Sequence, residues 1–379
     1  MNNIQYRTIM GLLALLLVTG SMAQRPVTIS SLRLIGEKEI ANGFSFKGTT
    51  VGGLSSIDYD RRRGVYYLIC DDRSAINPAR FYTAKIFFTA KGVDSVVMVK
   101  VDSLLQPDGT VYPNAKQNPA HTPDPEAMRY DPLRNRLIWS SEGERILRGT
   151  DTVLQNPSIN IISLQGRYRD SFRLPANLRM QATEKGPRQN GVLEGMSFDR
   201  NYQILYVNAE EPLYEDGPRA GLTDNHPWIR IYRFDVRTRR NTAQYAYQLD
   251  PVAYPATPAN AFMVNGVPDI LALGGNKMIV MERSFSTGRL PCTIKLYLTD
   301  LGRAGDIRNN SSLRQTAPTK PLTKKLLLNL DSLGVYVDNL EGMTLGPRLP
   351  NGHQTLVLVA DNNFNAFEKT QIFVFEIIP

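Results

Sequence analysis

Five pairs of polar residues recur along the chain: Ser55 with Asp71, Glu126 with Glu142, Glu194 with Glu210, Asp269 with Glu282, and Glu341 with Asp361. The separation is sixteen residues in the first three pairs, thirteen in the fourth and twenty in the fifth. Carboxylates gathered around one axis cannot all stay ionised without a counter-charge, because like charges a few ångströms apart oppose each other. A cation resolves the conflict. Oxygen ligands in a wide ring favour calcium over zinc or copper, and over magnesium with its strict octahedron. Ser55, Glu126, Glu194, Asp269 and Glu341 are thus the expected ligands of an axial calcium ion. The alternative for the same acids is a set of strand-end latches that accept hydrogen bonds from backbone amides.

The second members of the pairs form an outer ring. Asp71, Glu210, Glu282 and Asp361 are expected to contact a substrate, and Asp72, Glu142 and Glu211 to supply a carboxylate that activates water. Arg73 in Asp71-Asp72-Arg73-Ser74 and Arg283 in Glu282-Arg283-Ser284 can hold a phosphate by paired hydrogen bonds, or can form local ion pairs instead. His121, His226 and His353 are isolated and lack zinc-site spacing. The chain has no Gly-x-Ser-x-Gly elbow, no Gly-rich phosphate loop and no His-Glu-x-x-His, which disfavours serine-hydrolase and nucleotide-switch chemistry.

The elements that must position these residues repeat with them. Segments starting at Leu54, Pro125, Leu193, Pro268 and Leu340 each read as a short strand, a turn, a strongly apolar strand and then acids. Their first polar positions lie 71, 68, 75 and 72 residues apart. Two further strand-like runs follow in each period: Phe81 to Phe88 and Val93 to Val101, Ile159 to Leu164 and Tyr168 to Leu174, Trp228 to Val236 and Ala243 to Leu249, Thr293 to Leu298 and Lys325 to Leu330. The fifth period has Gln371 to Ile378 and then ends one strand short. Val27 to Ile35 or Leu34 to Ile40 can supply the missing strand. The expectation is an all-β, five-bladed β-propeller closed by its N- and C-terminal strands. A six-bladed ring and two stacked β-sandwiches are the alternatives. Since the first strand of a blade lines the channel and the second runs back beside it, both acidic rings converge on one mouth.

Residues 1–23 combine Arg7, an apolar run and small residues ending at Ala23, the pattern of a secretory signal peptide. The apolar run is too short to span a bilayer. The expected product is a single propeller domain over 24–379, secreted or periplasmic, with no membrane span. The formal charge of +8 is spread over scattered residues without aromatic interleaving. That argues against nucleic acid and for an anionic small-molecule substrate. The sequence says nothing about oligomeric state. Cys70 and Cys292 fall in non-adjacent repeats and are expected as two buried free thiols.

Leu193-Glu194-Gly195-Met196 and Leu340-Glu341-Gly342-Met343, together with Asp71-Asp72-Arg73 and Glu282-Arg283, resemble the phytase-like family with esterase-like activity. The resemblance covers nearly the whole chain after the leader and implies a secreted propeller hydrolase acting on phosphoesters. More distantly, the chain is similar to calcium-activated nucleotidases of the apyrase type. These are five-bladed propellers whose axial calcium is surrounded by serine and glutamate residues, one from each blade. Ser55, Glu126, Glu194 and Glu341 occupy matching places, and Asp269 departs from the serine expected in the fourth blade. The reading drawn from all of this is a calcium-dependent hydrolase of phosphoesters or related esters. The alternative is a non-catalytic propeller that calcium pins and that binds a glycan or a partner protein.

Overall fold

The second strand of each repeat is almost wholly apolar, and a strand of that kind needs partners on both of its faces. The computed structural model, which describes residues 26–149 and 151–379, provides them. Blade 1 comprises Leu54–Asp60, Val65–Cys70, Arg80–Thr89 and Gly92–Ser103, and blade 2 comprises Pro125–Asp131, Arg136–Ser141, Ser158–Ile162 and Tyr168–Ser171. Blade 3 is Leu193–Phe198, Ile204–Ala209, Trp228–Asp235 and Arg240–Gln248, and blade 4 is Met263–Gly274, Lys277–Ser286, Thr293–Asp300 and Lys324–Asn329. Blade 5 takes Asn339–Arg348, Gln354–Asp361 and Thr370–Ile378 from the C-terminal end, and its outermost strand, Ser31–Ile40, from the N-terminal end. The chain is a five-bladed β-propeller.

The closing strand spans parts of both runs proposed for it and pairs from Ser31 with Ile378 to Ile40 with Thr370. Closing the ring with both ends of the chain gives blade 5 its fourth strand from the N-terminal end. The expected signal peptide lies outside the described residues. Among the described residues, no helix is long and apolar enough to cross a membrane. Cys70 and Cys292 are both buried and free.

Five apolar clusters hold the ring together, one at each contact between neighbouring blades. Along Val65–Cys70 the alternation is complete. Tyr66, Leu68 and Cys70 face the blade 5 side, whereas Val65, Tyr67 and Ile69 face blade 2. Leu356 and Leu358 likewise pack toward blade 4, while Val357 and Val359 pack toward blade 1. The period-two side-chain alternation of a strand thus feeds two cores at once. Inside, the inner strands crowd the axis. A β-carbon on Gly195 would stand 2.6 Å from the Asp269 Cα, and one on Gly342 would stand 2.8 Å from the Ser56 Cα. The glycines of the two Leu-Glu-Gly-Met segments let a neighbouring inner strand pass.

Arg129 reaches across these inner strands. Its guanidinium is buried and donates to the Met196 carbonyl at 2.5 Å, to the Ser56 Oγ at 2.8 Å, to the Ile57 carbonyl at 3.0 Å and to both Asp269 carboxylate oxygens at 2.7 and 2.6 Å. Asp269 also accepts the Met343 amide at 2.7 Å. One blade 2 side chain is thereby joined to blades 1, 3 and 4, and to blade 5 both through Asp269 and by a longer bond to the Met343 carbonyl at 3.4 Å. Removing one partner of a buried ion pair strands the other. Arg129→Met is expected to cost about 3–5 kcal/mol in chemical denaturation, with much of that recovered when Asp269→Leu is added. A loss below about 1 kcal/mol for the single variant would show that the ring does not depend on this pin.

Candidate functional site

Each hairpin of inner and second strand delivers its two polar residues to one end of the channel. The pairings of Leu54 with Cys70, Pro125 with Ser141, Leu193 with Ala209 and Leu340 with Ala360 set Ser55, Glu126, Glu194 and Glu341 next to Asp71, Glu142, Glu210 and Asp361. Asp71, Asp124 and Glu126 offer carboxylate oxygens that all lie within 4.8 Å of one another, and so do Glu126, Glu142 and Glu194. Glu126 belongs to both groups. Asp124 escapes a search for the repeated pairs, yet it stands two residues before Glu126, and Glu144 stands two residues after Glu142. That spacing returns an extended chain to the same face.

Burial pushes the Asp71, Glu126, Glu194 and Asp361 carboxyls well above the usual range, and the neighbouring acids push them further. For the same chief reason Asp124 is raised to about 6, Glu211 to about 7 and Glu142 to about 8. Asp71 stands within hydrogen-bonding reach of Asp124, and Glu142 of Glu194. One Glu142 oxygen also accepts the amides of Gly191, at 2.8 Å, and Val192. The buried Asp361 Oδ2 has no hydrogen-bond partner.

Two guanidinium groups offset part of this charge. Arg283 pairs with Glu210 at 2.6 Å and with Glu341, and it also bonds Asn339. Arg73 pairs with Glu144, with Asp124 at 3.6 Å. The Ser55 hydroxyl stands next to the cluster and donates to the Glu126 carbonyl at 2.8 Å. All the clustered ligand atoms are hard oxygens, and the two cationic partners are outnumbered by buried carboxyls. The set fits a divalent cation such as calcium. Histidine plays no part: His353 contacts Glu376, and His226 lies near Asp224.

Three expected site residues are placed elsewhere. Blade 4 pairs Gly266 with Arg283 and Asp269 with Met281, so its counterpart of Glu194 is Val267. Asp269 sits two residues farther along the strand, at the level of Met128, Met196 and Met343, where it holds Arg129 instead of joining the acids. Glu282 immediately precedes Arg283 and faces the opposite side of its strand. There it accepts the Tyr247 hydroxyl at 2.7 Å, the Asp250 amide at 3.0 Å and Lys324 Nζ at 2.7 Å. Asp72 turns away from Asp71 into its own loop, pairing with Arg80 at 2.7 Å and accepting the Ala75, Ile76 and Asn77 amides. Both are latches of the kind that strand-end acids form.

Beside the cluster opens a cleft of about 800 Å3. Asp71, Asp124, Glu126, Glu142 and Glu194 form its acidic side, and Phe262, Phe285, Leu290 and Phe367 stand on the side of blades 4 and 5. Glu211 also lines it, ion-paired to Arg219 at 2.6 Å. Because the clustered carboxyls take up protons more readily folded than unfolded, the cation-free protein gains stability at low pH and loses it as pH rises through about 6 to 8. A cation competes with those protons. Calcium should therefore raise the melting temperature more at about pH 8 than at about pH 5. Equal shifts at both values, or none, would contradict a cation held by these acids.

In sequence, no curated protein matches the chain. Among solved structures, the Dos1 propeller is 6% identical with a TM-score of 0.31, the match covering 85% of this chain and 68% of that one. A GH43_12 protein retrieved from capybara gut metagenome is 10% identical at a TM-score of 0.44, with 85% of this chain and 51% of that one covered. This chain thus spans about half of its length. An exo-1,5-α-L-arabinanase from a bovine ruminal metagenomic library is 10% identical at a TM-score of 0.39, covering 84% and 92%. The family model described as phytase-like, esterase-like activity of phytase, matches residues 49–364, which takes in all five inner strands and the whole acidic mouth, and the chain belongs to that family.

Proposed function

We propose that this protein is a calcium-dependent hydrolase of ester bonds, phosphoesters foremost, that works outside the cytoplasm at its acidic mouth. The observation that carries the reading is the pair of carboxylate triads sharing Glu126 at the edge of a cleft large enough for a small organic substrate. Membership of the phytase-like family supports the reaction class. The leader-like pattern in residues 1–23 supports export.

In this reading Asp71, Asp124, Glu126, Glu142 and Glu194 hold calcium. Bound there, the ion supplies a Lewis acid and a counter-charge for an anionic ester. The chain's own groups do the rest. Glu211 lines the cleft with a pKa of about 7, raised chiefly by burial, which suits a group that takes a proton from water near neutral pH. Arg219 keeps that carboxylate oriented. Arg283 balances Glu210 and Glu341 and is among the residues lining the cleft, where its positive charge favours the approach of a phosphoryl oxygen. Arg73 is held by Glu144 and is not among the residues lining the cleft, so its part is to neutralise. Asp361 and Glu210 complete the surrounding charge.

The direct test is release of nitrophenol from p-nitrophenyl phosphate and p-nitrophenyl acetate, with calcium and after its removal. Turnover that needs calcium is expected. Glu211→Gln should lower kcat by about a hundredfold or more while keeping the calcium-induced rise in melting temperature. Glu126→Gln should abolish the calcium-induced rise in melting temperature together with turnover. No turnover of either ester in saturating calcium would overturn the hydrolase reading and leave a propeller that binds a glycan or partner.

A further inference from the structure

The opposite mouth of the channel has the reverse chemistry. The turns that join first to second strands all lie there, and they carry Arg61 and Arg62 in blade 1, Arg200 in blade 3 and Arg348 in blade 5. Arg61, Arg62 and Arg200 line a funnel of about 370 Å3 whose floor is reached by Arg129 and whose wall includes Tyr59, Tyr130 and Phe198. Acids are present too, but each is committed. Asp58 accepts the Tyr130 amide at 2.8 Å and the Thr344 hydroxyl at 2.9 Å. Asp60 pairs with Arg63 at 2.6 Å, and Asp199 accepts the amides of Gln203 and Ile204 at 2.8 and 2.9 Å.

Arg61, Arg62 and Arg200 have no ion-pair partner among the described residues. Arg200 is the most informative of them. Its aliphatic stem lies against Gly274, where a β-carbon would come within 2.8 Å of the Arg200 Cγ. Its Nε is buried with no hydrogen-bond partner. Burial lowers the guanidinium's pKa from its ordinary value, and the charges of Arg61 and Arg348 lower it further. A buried donor left without an acceptor is costly, and the neighbouring charges of Arg61 and Arg348 add repulsion. An oxyanion in the funnel would relieve both.

We propose that this basic mouth is a binding site for a small multivalent oxyanion of the phosphate class, held by Arg200 and Arg61 with Arg62 at the rim. A guanidinium fork fits a phosphoryl group, and the closed, concave floor suits a small molecule better than a macromolecular surface. The site is independent of the acidic mouth and of any hydrolysis there, because the Arg129–Asp269 pair lies between the two.

The test is calorimetric titration of the cation-free protein with inorganic pyrophosphate at constant ionic strength. One saturable site is expected, and the double variant Arg61→Gln/Arg200→Gln should bind at least about tenfold more weakly. The exposed single variant Arg62→Gln should weaken binding less while keeping the fold. The calcium-induced rise in melting temperature should be the same in the double variant as in the unaltered protein, which separates lost binding from lost folding. Absence of saturable binding would overturn the proposal. So would binding that survives the double variant but is lost in Arg219→Gln/Arg289→Gln, since those residues line the acidic cleft.

Discussion

A guanidinium shut away from water must find acceptors for its N–H groups on every side, and at the axis of a propeller several blades can offer them at once. Arg129 uses that place. Its acceptors come from blades 1, 3, 4 and 5, and the carboxylate that balances it takes a further amide from blade 5. For those bonds to form together, the inner strands must stand at one level. The pin therefore fixes their mutual register as well as their distance. It also divides the channel, so that the two mouths are separate chemical environments and not the two ends of one pore.

Above the pin the constraint is the opposite one. Carboxyls from blades 1, 2, 3 and 5 are buried together with two guanidinium groups to offset them. The ring is deliberately unequal at blade 4. Arg283 stands in the pairing position that Cys70, Ser141, Ala209 and Ala360 hold elsewhere, and it leans against the acids of blades 3 and 5. The uncompensated charge is thus concentrated on blades 1 to 3, where Glu126 lies in both close groups of carboxylates. On the far side the cleft is walled by phenylalanines and Leu290. A ligand entering it meets charge on one flank and apolar surface on the other.

Much of this is legible in the sequence. The five-fold period can be read because second strands buried on both faces leave an unbroken apolar signature, and because two of the inner strands carry the same Leu-Glu-Gly-Met segment, whose glycine sits against a neighbouring inner strand. The missing strand of blade 5 follows from counting. Blade 4 is where reading fails, and the reason is physical. Pro268-Asp269 imitates Pro125-Glu126 in sequence, but the ladder pairs Gly266 with Arg283, and a shift of two residues keeps Asp269 on the channel side while moving it down to Arg129. Glu282 and Asp72 fail for a simpler reason, since each sits one residue from a mouth position and alternation sends it to the other face. Asp124 and Glu144 could have been found by asking which residues two positions from a known acid are also acidic.

The two mouths together suggest an order of events for an anionic substrate. The chain as a whole is positive, with a formal charge of +8, so anions are drawn toward it from solution. At the acidic mouth the local field opposes that attraction for as long as the carboxylates are charged and unaccompanied. Protons can silence part of the field, but at the cost of bases that could act on water. A divalent cation silences it without that cost and leaves Glu211, which lies on the cleft wall outside the close carboxylate groups, free to titrate near neutrality. In the proposed reading the cation must therefore bind before the ester, and the same acids that would hold it would keep the cleft closed to anions in its absence.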